Sequence, residues 1–241
     1  NNVALTNDEN DRSSILAVDA TVFALREYKA MAIIASKLGM EEDSKQFQQF
    51  VVKAESALME YMWHAEEAMF YNIRRDNGEV IKRISYSNFL PLYDSILPHE
   101  QGREMITRYL WNEDHMLAPY GIRTLSKADK EYNNVNMIKP YSNWQGPVWP
   151  VANFIYSVML VNYGFEKEAG ELALTIGKRL VEDIAEWGSM HENYHADTGV
   201  PLAPSPDQSD GTFTGFVGWN MLSENMMQGA VEGKWLLLKI K

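Results

Sequence analysis

The feature that most constrains the fold is an alternation of two kinds of helical segment, one apolar on several sides and one that keeps a polar face. Residues 18–38 are dense in helix formers and carry few charges, which is typical of a helix buried on more than one side. In residues 47–62 the apolar side chains step by three and four and leave one polar face. The same succession recurs, with an apolar helix predicted over 147–163 and an amphipathic one over 169–187.

This pairing predicts an all-α fold in which inner helices pack against more polar outer ones. Shorter helical segments are predicted around 87–95 and 100–110, and a last helix over 215–230. The long helices number about six, and pairs of this kind close into an (α/α) toroid when enough of them are present. Six helices would fill about half of a twelve-helix ring, and 241 residues suffice for one domain or one large piece of a bigger one.

Non-helical structure is predicted in a few places. Asp76-Asn77-Gly78 lies between two segments that favour strands, and Asn-Gly supplies the positive φ angles of a tight turn. We therefore expect a small β-hairpin there. Two long loops, 116–143 and 191–213, are rich in Gly, Pro and Asn, and loops of this length in compact domains are often functional. The run 235–240 alternates apolar and basic residues and could form a strand.

Composition excludes several classes of function. Lys plus Arg number 22 and Asp plus Glu number 33, which gives a net charge of −11 and disfavours phosphate backbones and anionic membranes as partners. No apolar run approaches the roughly 20 residues of a membrane helix, so we expect a soluble protein. The chain has no cysteine, which excludes disulfides and thiolate chemistry and leaves the compartment open, with a slight preference for the cytoplasm.

The first candidate site is the loop 141–150, where tryptophans and polar groups are concentrated before a helix. Sugars bind through apolar ring faces stacked on aromatics, with amides and carboxylates taking the hydroxyl groups. Trp144, Gln145 and Trp149 supply both kinds of group within six residues. The alternative is that the tryptophans are packing residues and that Gln145 is an exposed cap, and spacing alone does not decide between them.

The second candidate site is the segment 187–194, in which Glu192 stands between His191 and Asn193. A carboxylate with hydrogen-bonding neighbours is what activation of a water molecule requires, although a single Glu near a helix end is ordinarily a surface residue. His191 and His195 have the spacing of a zinc-binding pair, but their sequence runs into a loop rather than along a helix. We therefore expect no metal or other cofactor, and the phosphate-binding and Gly-x-Ser-x-Gly motifs are also missing.

Four separated sequence strings favour a catalytic site over the packing and surface alternatives. GIRTLS begins at Gly121, YSNWQGPVWPVANF at Tyr141, HENYHADTGVPLAP at His191 and FVGWNML at Phe216. In content and order they resemble the C-terminal half of the catalytic domain of glycoside hydrolase family 63, which includes processing α-glucosidases and mannosylglycerate hydrolases and shares a clan with the trehalases. The resemblance implies that residues 1–241 are the C-terminal portion of a single (α/α)6 catalytic domain.

The resemblance also implies a reaction and a set of residues. The family hydrolyses α-linked sugars with inversion, using a carboxylic acid and a carboxylate. By motif, Glu192 matches the general base. Trp144, Gln145, Gly146 and Trp149 match the sugar-subsite loop, Tyr194 and Trp219 would line the pocket, and His191 lies next to the base with its contact to the ligand undecided. The expected partner is a small oligosaccharide or α-glycoside.

The family's general acid has no match between Asn1 and Lys241. It is an aspartate in a short motif that precedes the first helix, and the chain begins with neither an initiator Met nor a signal peptide. We expect a fragment whose acid lies upstream or in a separate chain that completes the barrel, and an isolated chain that is nearly inactive. Internal aspartates are weak substitutes: Asp19 suits a helix N-terminus, and the others considered are Asp94, Asp207 and Asp210.

Two functions from different classes remain open at this point. The preferred one is an inverting α-glycosidase in which Glu192 activates water. The alternative is a non-catalytic helical toroid that binds carbohydrate or a protein partner and keeps the aromatic residues without the chemistry. A scaffold without any ligand is a third possibility.

Overall fold

The computed structural model describes residues 14–135, 137–138, 141–202 and 215–237. These residues divide into two compact units, 14–102 and 103–237. Their α-helices are α1 (Val18–Lys37), α2 (Glu41–Ala57), α3 (Tyr86–Tyr93), α4 (His99–Met105), α5 (Pro150–Asn162), α6 (Glu166–Trp187) and α7 (Leu222–Glu232). Their strands are β1 (Ile15–Leu16), β2 (Trp63–His64), β3 (Met69–Phe70), β4 (Asn72–Arg74), β5 (Val80–Ile81), β6 (Leu117–Ala118), β7 (Gly121–Ile122), β8 (Met137–Ile138) and β9 (Tyr141–Ser142).

The unit 14–102 is built on the helical hairpin of α1 and α2, which a three-residue turn around Gly39 joins. A π-helical turn, Leu58–Met62, follows α2. Strands β1, β4 and β5 form a three-stranded antiparallel sheet. The predicted hairpin is confirmed, because β4 and β5 pair on either side of residues 76–78. The Asn72 side chain on β4 accepts a hydrogen bond of 2.7 Å from the Val18 backbone N–H and so satisfies a free donor at the start of α1.

The unit 103–237 is built on α5, α6 and α7, which pack against one another. Helix α5 is apolar and largely buried, whereas α6 buries a single stripe. The inner and outer character predicted from the sequence is therefore confirmed for this pair. The π-helical turn Ile106–Leu110 extends α4 into this unit, and the long loop after it contains the antiparallel pairs β6–β7 and β8–β9.

The predicted last helix begins too early. Helix α7 starts at Leu222 after a short 3₁₀ turn, Trp219–Met221, rather than at residue 215. The preceding residues are held in another conformation, because the Phe216 N–H donates to the Met190 carbonyl at 2.6 Å. The strand expected over 235–240 is not seen at 235–237, and its remaining positions lie outside the described residues. Within the part of the chain described, no helix has the length and apolar character needed to cross a membrane.

Candidate active site

Three of the four sequence strings are joined by backbone pairing. Arg123, Val148, Tyr194 and Pro201 lie side by side as successive antiparallel bridges. The Val148 N–H donates to the Tyr194 carbonyl at 2.8 Å, and the Tyr194 N–H donates back at 2.9 Å. This pairing brings the tryptophan-rich loop beside the loop that contains Glu192.

The fourth string reaches the same place through a side chain. Asn220, which is fully buried, donates from Nδ2 to the His191 carbonyl at 2.7 Å. Together with the Phe216 to Met190 bond, this contact lays residues 216–220 along the segment that precedes Glu192. Glu192 itself is partly buried, and both of its neighbours, His191 and Asn193, are buried.

The tryptophans form a row with one buried member. The rings of Trp144 and Trp149 stack at a centroid distance of 4.2 Å, and Trp219 lies 6.3 Å from Trp149 on a tilted plane. Trp149 is only 1% exposed, and its indole N–H donates to the Asn143 carbonyl at 2.9 Å. Trp219 is 39% exposed, and Trp144 is partly buried. A ligand therefore has better access to Trp144 and Trp219 than to Trp149.

Amide side chains fix the loop that carries these rings. The Asn133 side chain donates to the Gln145 Oε1 at 3.0 Å, and the Asn133 backbone N–H donates to the Gln145 carbonyl at 2.8 Å. Asn143 donates to the Asn133 Oδ1 at 2.8 Å. Gln145 is 5% exposed and is therefore not an exposed cap. The loop conformation is thus set by side chains within the same unit.

Gly146 stands where no side chain fits. Its φ is +152°, and a Cβ built on it would lie 2.2 Å from the Asn133 carbonyl oxygen. A real contact of that length does not occur, so any larger residue would displace the backbone of residue 133. The glycine therefore lets the tryptophan loop pack directly against its neighbour.

A buried carboxylate lies beneath the Glu192 loop. Asp183, on α6, is 0% exposed and accepts hydrogen bonds from the His191 N–H at 2.7 Å, from the His191 Nδ1 at 3.0 Å and from the Tyr194 hydroxyl at 2.6 Å. Burial by itself raises the pKa of Asp183, but the hydrogen bonds from His191 and Tyr194 outweigh it and hold that pKa below its ordinary value. Burial, followed by the bond to Asp183, raises the pKa of Tyr194.

A second acidic residue ties the same loop to the rest of the unit. Asp197 accepts from the Arg123 Nη2 at 2.8 Å and from the Tyr132 hydroxyl at 3.1 Å. The adjacent Ala196 N–H donates to the Asn134 Oδ1 at 3.0 Å. The Glu192 loop is therefore attached on the side of Asp197 as well as on the side of Asp183.

The structure brings the residues predicted from the sequence into one region but gives them different surroundings. His191 and Tyr194 are buried and face Asp183. Sequence reasoning missed Asp183, although a carboxylate at a position of the apolar stripe of α6 was a usable signal. It also missed the supporting amides Asn133, Asn143 and Asn220, and the density of asparagines was a signal for the first two only.

The remaining aspartate candidates either have another position or contact in the described residues or lie outside them. Asp19 lies in the first turn of α1, as expected, and Asp94 contacts Arg26 and Lys29. Asp207 and Asp210 lie outside the described residues. Over the described ranges, no group of three His, Asp or Glu side chains could hold a metal ion.

Comparison with known proteins decides the family. The model of the mannosylglycerate hydrolase MGH1-like glycoside hydrolase domain matches residues 6–210. The chain belongs to this family. A probable mannosyl-oligosaccharide glucosidase from Schizosaccharomyces pombe is 26% identical over 153 residues, which cover 59% of this chain and 17% of that protein. The chain spans between 17% and 32% of the length of the curated relatives that it matches.

Solved structures agree on the fold of this MGH1-like domain. The family 63 mannosylglycerate hydrolase from Thermus thermophilus superposes with a TM-score of 0.65 at 19% identity, over 88% of this chain and 45% of that one. The neutral trehalase Nth1 from Saccharomyces cerevisiae gives a TM-score of 0.67 at 16% identity, over 90% of this chain and 38% of that one. These likenesses confirm the predicted (α/α)6 toroid class, of which the chain is a part.

Proposed function

We propose that the chain carries the general-base side of the active site of an inverting glycosidase that acts on α-linked glycosides. The observation that supports this most is the convergence of four separate strings around Glu192, in a chain that belongs to a glycoside hydrolase family. The residues on either side of Glu192 are buried, and contacts from other segments hold His191 and Tyr194 in place.

In this proposal Glu192 accepts a proton from a water molecule as that water attacks the anomeric carbon from the face opposite the leaving group. A carboxylic acid on the other side of the sugar donates its proton to the departing glycosidic oxygen. The bond from the anomeric carbon to that oxygen breaks while the bond to water forms, so the configuration inverts. The two carboxyl groups of inverting enzymes lie roughly 6.5–9.5 Å apart to leave room for the water.

We assign the acid to an aspartate outside these 241 residues. Among the described residues, the buried aspartate side chains already accept hydrogen bonds. Asp94 accepts from Arg26 and Lys29, and Asp183 accepts from His191 and Tyr194. The hydrogen bonds to Asp183 hold its pKa below the ordinary value, which does not favour a protonated carboxyl group there. On this basis the chain by itself should hydrolyse glycosides roughly 10² to 10⁴ times more slowly than the whole protein that contains it.

The sugar would rest against the accessible indoles. Trp144 and Trp219 offer ring faces for stacking, and Trp149 supports Trp144 from behind. Gln145 and Gly146 shape the floor of this subsite. His191 and Tyr194 would act beneath the loop, because both side chains contact Asp183.

The decisive experiment replaces Glu192 with Gln in the whole protein. We expect hydrolysis to fall by roughly 10² to 10⁴, the contribution of a positioned base, while sugar binding, followed by tryptophan fluorescence, persists. Glu186→Gln is the matched control, because Glu186 lies exposed on the last turn of α6. Near-normal turnover by Glu192→Gln would remove Glu192 from the role. Loss of turnover in both variants would point to a general effect of charge.

Substrate and stereochemistry can be tested together. Relatives include enzymes described as a mannosyl-oligosaccharide glucosidase, a mannosylglycerate hydrolase and a trehalase. We propose screening α-glucosides, mannosylglycerate and trehalose with the whole protein and recording the first-formed anomer by NMR. A β-anomer from an α-linked substrate supports inversion. A retained α-anomer would contradict the mechanism, and binding without hydrolysis of any substrate would favour a carbohydrate-binding role.

The stacking role is tested by two tryptophan variants. Trp144→Ala should weaken sugar affinity by about 1 kcal/mol or more through loss of a stacking face. Trp149→Ala should weaken affinity to a similar extent and also destabilise the fold by about 3 kcal/mol, because it empties a buried site. Unchanged affinity in both variants would make the row a packing feature.

A further inference from the structure

We propose that Asp183 is a positioning residue that holds Glu192 in place from beneath. The inference rests on the proposed function, since it assigns Asp183 a role only if Glu192 is the base. It concerns a buried carboxylate that the hydrolytic chemistry described above does not use.

Asp183 occupies a position in α6 where packing calls for an apolar residue. The buried stripe of this helix runs through Ala169, Leu172, Ala173, Ile176 and Leu180 before it reaches Asp183. A buried carboxylate is costly unless hydrogen bonds compensate for the lost water. An aliphatic residue would fill the site at lower cost, so the carboxylate requires a reason beyond packing.

That reason lies in what the carboxylate binds. Its partners are the backbone N–H and Nδ1 of His191 and the hydroxyl of Tyr194, and both residues belong to the short segment that contains Glu192. Because an ionised carboxylate only accepts hydrogen bonds, the His191 ring is fixed with its proton on Nδ1. A single side chain thus fixes the segment both before and after Glu192.

The same segment is fixed from two further directions. Asn220 donates to the His191 carbonyl at 2.7 Å, and Tyr194 is paired through its backbone with Val148. The backbone of Glu192 therefore lies between two restrained residues, with Asp183 as their shared partner. A catalytic group must be held within a small distance of its productive position, and a misplacement of about 1 Å can cost roughly 10² in rate.

The test is a separation of turnover from binding in the whole protein. Asp183→Asn keeps the shape of the side chain but replaces one acceptor oxygen with a donor, which opposes the N–H and O–H groups of its partners. We expect kcat to fall by roughly 10²-fold, with the KM and the sugar dissociation constant unchanged within about twofold. A kcat within about twofold of the wild type would overturn the inference, as would a rise in the dissociation constant that matches the loss of rate.

Tyr194→Phe provides a second and milder variant. It removes one hydroxyl and one hydrogen bond to Asp183, and it should lower kcat by about threefold to tenfold, again without a change in sugar affinity. If Asp183→Asn does not fold, as judged by circular dichroism, Tyr194→Phe decides by the same criterion. A purely structural cluster would give Tyr194→Phe a lower melting temperature with normal kcat, which would also overturn the inference.

Asp94→Asn is the matched control, because Asp94 is a buried carboxylate in the other unit. It should lower stability and leave kcat of the folded protein unchanged. Glu192→Gln distinguishes failure of the proposed function from failure of the positioning role of Asp183. If Glu192→Gln stays active, the proposed function fails. If Glu192→Gln is inactive while Asp183→Asn turns over normally, only the positioning role fails.

Discussion

Each unit contains a buried carboxylate side chain, and the two differ in their hydrogen-bond donors. Asp94 ends α3 and receives the Arg26 Nη1 at 2.7 Å and the Lys29 Nζ at 2.6 Å, both from α1. Asp183 lies within α6 and receives a backbone N–H, an imidazole and a phenol from one loop. The first group links two helices through charge, whereas the second fixes the course of a loop.

The difference lies in what each arrangement determines. The contacts of Asp94 are charge-assisted hydrogen bonds, and their Coulomb attraction adds to the stability of the contact between two helices. Hydrogen bonds to a backbone N–H and to two short side chains depend on angle and distance. The bonds to Asp183 therefore specify the conformation of a loop, whereas the bonds to Asp94 join two helices.

The largest effect on the free energy of unfolding is expected from removing Asp94 from its cluster with Arg26 and Lys29. Asp94→Ala leaves Arg26 and Lys29 mostly buried without their shared acceptor, and removal of one partner of a buried ion pair is strongly destabilising. We expect a loss of about 3 kcal/mol in the free energy of unfolding, measured by urea denaturation of the chain. Arg108→Ala, which removes only an exposed pair with Glu104, should cost less than about 1 kcal/mol. Equal losses would show that the Asp94 cluster contributes no more than a surface pair.

A smaller effect should distinguish the two units by their tolerance of a methyl group. In Gly146→Ala the added Cβ meets the Asn133 carbonyl oxygen, so we expect about 2 kcal/mol of destabilisation and weaker sugar binding. Gly39→Ala, in the turn between α1 and α2, meets nothing within 4 Å and has only the strain of its φ of +72°. It should cost about 1 kcal/mol and leave sugar binding unchanged.

The stability contributed by the two clusters should depend on pH at opposite ends of the pH scale. Burial lowers the pKa of Lys29, but its bonds to Asp94 and Glu55 outweigh burial and raise that pKa above 10.5. The stabilisation it provides is present below pH 10.5 and is lost as the pH rises through the native pKa. The pKa of Asp183 is below 3.8, so its stabilisation is present above pH 3.8 and is lost as the pH falls through the native pKa.

Lys29→Met should therefore flatten the alkaline limb of the pH–stability curve, and Asp183→Asn should flatten the acid limb. Each slope is bounded at about 1.4 kcal/mol per pH unit for a single group. Urea denaturation across the pH range measures both limbs. A flattening of the wrong limb by either variant would contradict the assignment.

The sequence predicted the helices more fully than the surroundings of the site. Composition located α1 and α5, which are apolar on several sides, and apolar side chains at the helical spacing located α2 and α6. The sequence could not tell that Trp149 is covered by Trp144, since the two rings meet only once the loop has folded. It placed the start of the last helix too early, because the bond from Phe216 to Met190 is a long-range contact that local propensity does not contain.

The site residues divide along the same line. Residue type and neighbours brought forward Trp144 and Glu192 as candidates, and the motif resemblance added Trp219 and the role of general base for Glu192. Asp183 was not found, because an acidic residue within a helix ordinarily indicates the exposed face. Its position one turn beyond Leu180, in line with buried residues, was the only local sign that it points inwards.

The smallest expected effect on the pH dependence of stability comes from His115, which belongs to neither carboxylate cluster. His115 is partly buried, its Nδ1 lies 3.1 Å from the Ser126 Oγ, and its ring meets Tyr109 edge-on. Burial lowers the pKa of His115 below 6.5, and Asp114 only partly opposes this. The native state then binds fewer protons than the unfolded state just below pH 6.5, so stability falls as the pH falls through that window. His115→Gln should flatten this fall without altering either limb assigned to Lys29 and Asp183, and the same denaturation series measures it. An unchanged slope would mean that this partly buried ring, bonded to a neutral hydroxyl, adds nothing to the pH dependence of stability in this window.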